Sequence, residues 1–304
     1  MSRWVLLGVV AAVVVAGCGR ATPLARVGHG SIAAVGAESQ YANVIAQIGG
    51  RYVTVTAIES NPSTDPHAFE ASPSVAEAIS SARIVVQNGL GYDTFMNRIE
   101  SASPSRSRRV IDVQRLLGLP DSTPNPHLWY APWTMPAVAR RLVADLSAIA
   151  PAHAAYFAAN ARRFDAALAP WRRALRTFAA RHPRTPVAST EPVSDYLLQA
   201  AGTVNLAPLD LRTDVMNGVD PAPQLVTRQT DLLAHRRVRA LVYNQQVTDT
   251  LTQSFLQTAT SHHVPVVGVD ETMPAGYDYQ SWMVAETRAL ERAVVDGVST
   301  GRPT

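Results

Sequence analysis

Two histidines, each directly preceded by proline, have the clearest capacity for chemistry in this chain. They occur in Asp65-Pro66-His67 and Asn125-Pro126-His127, about sixty residues apart. Each lies just past the end of a predicted strand. A single loop histidine is most often a solvated surface residue, but a neutral imidazole is also the commonest metal ligand in proteins. Metal binding is therefore favoured if acidic side chains join the pair.

Acidic residues occupy comparable positions in the second half of the chain. Glu191 follows a predicted strand at 185–189, and Asp270 and Glu271 follow another at 264–269. Because the carboxyl ends of strands face the ligand crevice in open α/β sheets, these side chains and the two histidines could converge from four loops. Glu191 alone could equally be an acid placed at a helix N-terminus, where the helix dipole favours it.

This ligand set also limits the choice of metal. Two imidazoles and two carboxylates suit zinc, manganese or iron(II), and the lack of a thiolate disfavours copper(I). Carboxylates that bind through both oxygens would raise the coordination number and favour manganese, yet zinc binds as tightly or more tightly in the general order of affinities. The sequence therefore predicts one divalent transition metal and leaves manganese and zinc as alternatives. It also leaves Asp270 and Glu271 as alternatives for the fourth ligand.

The elements that must position these residues alternate between strands and helices. In the first half, strands are predicted at 31–35, 52–58, 84–87 and 110–113, with helices at 37–48, 74–82 and 95–99. In the second half, strands are predicted at 185–189, near 206, at 240–243 and at 264–269, with helices at 193–201, 222–234, 248–262 and 279–296. Such alternation is typical of parallel sheets with right-handed crossovers.

Between the two halves, residues 133–181 are predicted to be helical. Five large apolar residues recur at intervals of four and three, which places them on one helix face: Phe164, Leu168, Trp171, Leu175 and Phe178. Pro170 lies inside this pattern and should kink the helix. The expected fold is α/β, with two lobes that each contain a mainly parallel sheet, joined by one long bridging helix.

The N-terminus has the pattern of a secretory signal. Arg3 precedes an apolar run at 4–16, and the only cysteine, Cys18, follows Gly17. The run of about 13 residues is shorter than the roughly 20 needed to span a bilayer. Val15-Ala16-Gly17-Cys18 resembles a bacterial lipobox, whose cysteine receives a diacylglycerol anchor; a plain secretory peptide is the alternative. A lone cysteine also excludes an intrachain disulfide framework.

Composition argues against several functional classes. Apolar residues make up 47% of the chain and charged residues 17%, as in ordinary globular proteins. All 27 basic residues are arginine, the net charge is only +3, and the short arginine clusters lack the interleaved aromatic residues that stack on bases. We therefore expect no nucleic-acid partner.

Several motifs together resemble a known family. The segments are Asp65-Pro66-His67-Ala68-Phe69-Glu70, Asn88-Gly89-Leu90-Gly91-Tyr92-Asp93, Asn125-Pro126-His127-Leu128-Trp129, Thr190-Glu191-Pro192-Val193-Ser194-Asp195-Tyr196-Leu197 and Glu271-Thr272-Met273-Pro274. They are similar to the cluster A-I (cluster 9) metal-binding lipoproteins of bacterial ABC importers, and the similarity covers nearly the whole mature chain. It implies two α/β lobes bridged by a long helix, with a metal in the cleft between them.

The resemblance implies a role for each candidate residue. His67 and His127 would be the first two ligands, and Glu191 would replace a histidine that is common in zinc-type members. Glu271 is favoured over Asp270 as the fourth ligand because it aligns better with the turn before Met273. The chain would be a non-enzymatic carrier, lipid-anchored through Cys18 to the outer face of the cell membrane, that passes its metal to an ABC permease. We expect it to be monomeric.

The expected organisation follows from these assignments. Residues 1–17 would form the signal peptide, 18–30 a tether, 31–132 the N-terminal lobe, 133–183 the bridging segment and 184–304 the C-terminal lobe. The competing function is a secreted metallohydrolase with a His/His/Glu site and Glu191 as its general base. The sequence has no His-Glu-x-x-His helix or Gly-x-Ser-x-Gly elbow to support that alternative.

Overall fold

The computed structural model describes residues 25–28, 30–63, 65–66 and 69–301. Within them, two separate sheets form the centres of two lobes, and the prediction of two α/β lobes is confirmed. Cys18 and the predicted signal peptide lie outside the described residues. His67 lies outside them as well, so the structure carries no information on these two candidate residues.

The N-terminal lobe contains a five-stranded sheet. Its strands are β1 (Ala25–Val27), β2 (Ile32–Glu38), β3 (Val53–Glu59), β4 (Ile84–Gln87) and β5 (Arg109–Asp112). Their order is β1-β3-β2-β4-β5; β1 runs antiparallel to β3 and the other neighbours are parallel. The helices of this lobe are α1 (Ser39–Gly49), α2 (Pro73–Ser81), α3 (Thr94–Ala102) and α4 (Val113–Leu116). Every residue of β4 is buried, as expected of a central parallel strand covered on both faces.

The C-terminal lobe contains a four-stranded parallel sheet. Its strands are β6 (Pro186–Ser189), β7 (Val204–Asn205), β8 (Leu241–Asn244) and β9 (Val266–Val269), in the order β7-β6-β8-β9. The helices are α8 (Asp195–Ala200), α9 (Leu209–Met216), α10 (Pro223–Ala234), α11 (Thr250–Ser261) and α12 (Tyr279–Asp296). Helix α9 occupies a segment where the sequence predicted a polar loop. It buries Leu211 and Val215 one turn apart, a pattern too short to stand out in the sequence.

The segment between the lobes differs from the prediction of one long helix. It consists of α5 (Thr134–Ile149), a 3-10 turn (Pro151–His153), α6 (Ala154–Ala167) and α7 (Ala169–Arg181). Both interruptions lie just before a proline, Pro151 or Pro170, because proline lacks the N–H needed inside a helix and restricts the residue before it. Helices α5 and α6 pack against α1, whereas α7 packs against α12, so the segment contacts both lobes.

The apolar stripe predicted for this segment is buried. Its members are Phe164, Leu168, Trp171, Leu175 and Phe178, all no more than 4% exposed. They belong to the largest hydrophobic cluster, which also includes Tyr279 and Trp282 of α12 and Tyr41 of α1. The bridging helices therefore share one core with both lobes. Among the described residues, no helix is long and apolar enough to span a bilayer.

Candidate metal centre

Three polar side chains lie at the carboxyl ends of adjacent strands in the C-terminal sheet. Glu191 follows β6, Asn244 ends β8, and Glu271 follows β9. Strand β8 lies between β6 and β9 in the sheet, which places Asn244 between the two glutamates. All three residues are at most 2% exposed. Sheet order thus gathers residues that are up to 80 positions apart in the chain.

His127 comes from the N-terminal lobe, directly before a 3-10 turn (Leu128–Tyr130), and is fully buried. Asn125 fixes its orientation. The Asn125 side-chain Nδ2 donates to the Pro192 carbonyl oxygen at 2.8 Å, so Asn125 Oδ1 must face His127. There, Asn125 Oδ1 accepts from the His127 backbone N–H at 3.0 Å and lies 2.8 Å from His127 Nδ1. The neutral ring therefore carries its proton on Nδ1, and its Nε2 keeps the lone pair that a metal requires.

Nε2 of His127 points at Glu271 across the boundary between the lobes. It lies 3.0 Å from Glu271 Oε2, and the Tyr92 hydroxyl donates to the same oxygen at 2.9 Å. An imidazole nitrogen and a carboxylate oxygen in contact within a buried space are suited to share a proton or a metal ion. Of the candidate ligands that are described, His127 and Glu271 are the two brought into direct contact.

Asn244 links the two glutamates. Its Nδ2 donates to Glu271 Oε1 at 2.7 Å and to Glu191 Oε1 at 3.1 Å. Next to it, Gln246 Oε1 accepts from the backbone N–H groups of Glu271 and Thr272 at 2.6 and 2.9 Å. The turn that presents Glu271 is therefore held by side chains from the end of the neighbouring strand.

Asp270 makes different contacts from its neighbour. Its backbone oxygen accepts from the Tyr130 hydroxyl at 2.7 Å. The same hydroxyl donates to Glu286 Oε1 of α12 at 3.2 Å, and Trp282 Nε1 donates to that oxygen at 3.0 Å. Burial, together with the charge of Asp270, raises the pKa of Glu286 to about 8. These contacts favour Glu271 over Asp270 as the acid that meets His127.

The electrostatics of the site favour a protonated Glu191 in the absence of a cation. Burial raises the pKa of Glu191 well above its ordinary value, and the charge of Glu271 raises it further. Burial likewise raises the pKa of Tyr92, with Glu271 as the next contribution, so its hydroxyl keeps the proton that it donates. A divalent cation would supply the positive charge that stabilises the ionised carboxylates.

The N-terminal lobe adds buried acids that sequence reasoning missed. Glu38 and Glu59 lie at the ends of the paired strands β2 and β3, and both are at most 6% exposed. Burial raises the pKa of each well above the ordinary value, and the charge of Asp93 contributes next. The pKa of Asp93 itself is raised to about 6 by burial. The available signal was that Glu38 and Glu59 stand near strand ends, but Glu38 lies within the predicted helix 37–48 and Glu59 directly follows the predicted strand 52–58.

The described residues do not complete a metal site by themselves. Within the described ranges, no group of three or more His, Cys, Asp or Glu side chains is arranged to hold a metal ion. The donors that the structure does bring together are His127 and Glu271, with Glu191 joined to them through Asn244. A full ligand set would need a donor from outside the described residues, and His67 is the candidate that the sequence offers.

Two α/β lobes around buried imidazole and carboxylate groups are the arrangement of a metal-binding solute-binding protein. The chain belongs to the family described as zinc-uptake complex component A, periplasmic, whose model matches residues 35–293. No protein with a curated description matches the chain in sequence.

Several solved structures have a similar fold. The solute-binding protein FpvC from Pseudomonas aeruginosa, in complex with Mn2+, matches with a TM-score of 0.71 and 20% identity, over 87% of this chain and 99% of that one. A periplasmic metal-binding protein from Candidatus Liberibacter asiaticus matches with a TM-score of 0.67 and 18% identity, over 87% and 98%. A ZnuA structure matches with a TM-score of 0.67 and 19% identity, over 88% and 98%.

Proposed function

We propose that this protein captures one divalent transition metal ion, zinc or manganese, between its lobes and delivers it to an ABC permease for import. Iron(II) is compatible with the same donors. The observation that carries the proposal is the buried contact between His127 Nε2 and Glu271 Oε2, 3.0 Å apart and contributed by different lobes. A cation at that point would join the lobes through both residues.

The proposed ligands are His67, His127, Glu191 and Glu271. The burial of Glu191, its link to Glu271 through Asn244, and the fixed tautomer of His127 support three of these assignments. His67 is proposed from its motif alone. Asp270 is proposed as a support of the turn rather than as a ligand, because its carbonyl oxygen anchors that turn to Tyr130.

Isothermal titration calorimetry tests the ligand set, after elemental analysis of protein purified without added metal. Removal of one of four donors in His67→Ala or His127→Ala should lower the affinity for Mn2+ and Zn2+ by orders of magnitude. His235→Ala is the matched control, because His235 is an exposed histidine at the end of α10. Binding by both ligand variants that equals that of the parent protein would remove the basis for the proposal.

We also propose that Cys18 is lipidated and that the chain is a monomer tethered to the outer face of the cell membrane. The lipobox pattern supports this proposal, in which 1–17 is the signal peptide and 18–30 the tether. The lobes are proposed to span 31–132 and 184–304, with 133–183 between them. Cys18→Ala should release the protein from the membrane fraction. Unchanged fractionation, with no diacyl modification by mass spectrometry, would contradict the anchor.

The metallohydrolase alternative has less support. The family match is to a component of an uptake complex, and its description names no reaction. Glu191, the residue that would serve as general base, instead has one oxygen held by the Asn244 amide. In a carrier, Glu191 needs only to bind the metal and does not need to act as a base.

A further inference from the structure

The amide of Asn244 makes an uncommon pair of hydrogen bonds. A side-chain amide nitrogen carries two protons, and here both are directed at carboxylates that we assign to metal binding, one at Glu191 Oε1 and one at Glu271 Oε1. Asn244 is 1% exposed, so water does not compete for these protons. The residue thus acts on two proposed ligands at once.

Neighbouring contacts prevent the amide from turning over. Asn244 Oδ1 accepts from the backbone N–H of Gln246 at 3.0 Å, and the backbone N–H of Asn244 donates to Thr190 Oγ1 at 3.2 Å. A flipped amide would direct its oxygen at two carboxylates and its NH2 group at a backbone N–H, which is unfavourable on both sides. The two Oε1 atoms are therefore held on the Asn244 side of the site.

The remaining oxygen of each glutamate is the one that Asn244 does not hold. Glu271 Oε2 contacts His127 Nε2 at 3.0 Å and accepts from the Tyr92 hydroxyl at 2.9 Å. Glu191 Oε2 is buried and has no hydrogen-bond partner among the described residues. A buried carboxylate oxygen without a partner is costly unless a cation or proton meets it. Each glutamate therefore offers one oxygen, and the other is held by Asn244.

We infer that Asn244 is a positioning residue that sets metal preference, because it restricts Glu191 and Glu271 to coordination through a single oxygen each. The inference rests on the proposed function. With two imidazoles, single-oxygen coordination gives four donors, the number that zinc adopts in tetrahedral sites. Manganese prefers a larger set of oxygen donors and gains most from carboxylates that bind through both oxygens. Asn244 thereby widens the preference for zinc over manganese.

The test compares the ratio of the Mn2+ and Zn2+ dissociation constants in the parent protein and in Asn244→Ala, measured by competition with a chelator of known affinity. Alanine frees both Oε1 atoms, so the ratio should fall at least tenfold as manganese gains oxygen donors. Gln246→Ala is the matched control. Gln246 holds the Glu271 turn through backbone N–H groups, so its loss should weaken both metals by a similar factor. Asn244→Ser, which keeps one donor, should give an intermediate ratio.

X-ray absorption of the zinc-loaded parent protein gives an independent readout. We expect four nitrogen or oxygen neighbours in the parent and five or more in Asn244→Ala. An unchanged ratio in the alanine variant, or a parent zinc site with both glutamates bound through two oxygens, would overturn the inference. If the alanine variant does not fold, the parent spectrum and the serine variant still decide the question. A parent protein that binds neither metal would contradict the proposed function instead.

Discussion

Glu271 and Asp270 are adjacent acids that the sequence alone does not separate, but their contacts differ. The Glu271 carboxylate meets His127 Nε2, whereas Asp270 anchors the turn through its carbonyl oxygen. Glu271→Ala should therefore lower metal affinity by orders of magnitude. Asp270→Ala should lower it less, within the 10–100-fold typical of residues that support ligands. Calorimetry on the two variants compares them directly, and the reverse order would transfer the ligand assignment to Asp270.

Metal affinity should begin to fall at a pH well above the ordinary pKa of glutamate as the solution is acidified. Burial raises the pKa of Glu191, so this carboxyl holds a proton well above pH 4.5, and that proton must leave before the metal can bind. The dissociation constant should therefore rise steadily as the pH falls through the weakly acidic range. Titrations in buffers of different ionisation enthalpy should show proton release at neutral pH. An affinity that stays constant from pH 7.5 to 5.5 would contradict this picture.

For single residues, the sequence predicts donors more readily than the groups that orient them. His127, Glu191 and Glu271 were selected because imidazoles and carboxylates at strand ends are typical ligands. Asn244 and Tyr92 are ordinary polar residues whose importance depends on sheet order and on contacts between distant segments. Local sequence patterns do not predict contacts between distant segments. Which polar residues orient the ligands therefore follows from the three-dimensional contacts.

Secondary structure was predictable where local signals were strong. Helix α12 was predicted at 279–296, and the structure gives Tyr279–Asp296. Its start has a capping box between Asp278 and Ser281, and it ends at Gly297, whose φ of 68° suits glycine. The break at Pro151 was missed, although the residue before a proline is unfavourable for a helix. Apolar residues keep a helical spacing on both sides of Pro151, so the sequence pattern predicted a continuous helix there.

Helix α12 also contains a buried acid whose titration should affect stability. Because burial raises the pKa of Glu286 to about 8, the folded protein holds a proton that the unfolded chain releases above about pH 4.3. The folded state therefore loses stability as the pH rises from about 4.3 to 8. Glutamine retains an oxygen that can accept from Trp282 and Tyr130 but does not titrate.

Glu286→Gln should therefore be more stable than the parent at pH 8, by an amount on the order of a few kcal/mol. The difference should vanish toward pH 4, where both side chains are neutral. Urea unfolding of the metal-free proteins at several pH values measures it. Stability curves that run parallel across this range would contradict the assignment of a neutral Glu286.

Across the whole molecule, buried and partly buried hydrogen bonds join the two lobes near the site. The Tyr279 hydroxyl donates to the Trp129 carbonyl oxygen at 2.6 Å, and the Met273 N–H donates to Ser39 Oγ at 3.2 Å. Gln40 Nε2 donates to the backbone oxygen of Glu271 at 3.3 Å. These bonds join α1 to the turn that presents Glu271, and the turn after His127 to the start of α12. Wide separation of the lobes would break them in a buried setting.

Metal binding should therefore change the overall dimensions little. Small-angle X-ray scattering of chelator-treated and metal-loaded protein should give the same radius of gyration within error, near the ~19 Å expected for a compact chain of this length. Metal-loaded protein should nevertheless melt at a higher temperature, since a ligand at a hundredfold excess over Kd adds about 2.7 kcal/mol. A clear contraction on metal binding would show that the lobes swing on a hinge.

A crystal structure of the metal-loaded protein, with anomalous data collected at the metal edge, tests most directly whether one metal is held by His67, His127, Glu191 and Glu271. This ligand assignment predicts one strong anomalous peak between the lobes. It should lie about 2.0–2.2 Å from nitrogens of both histidines and from one oxygen of each glutamate if the ion is zinc. A peak at other residues, or no peak in protein loaded with either metal, would contradict it.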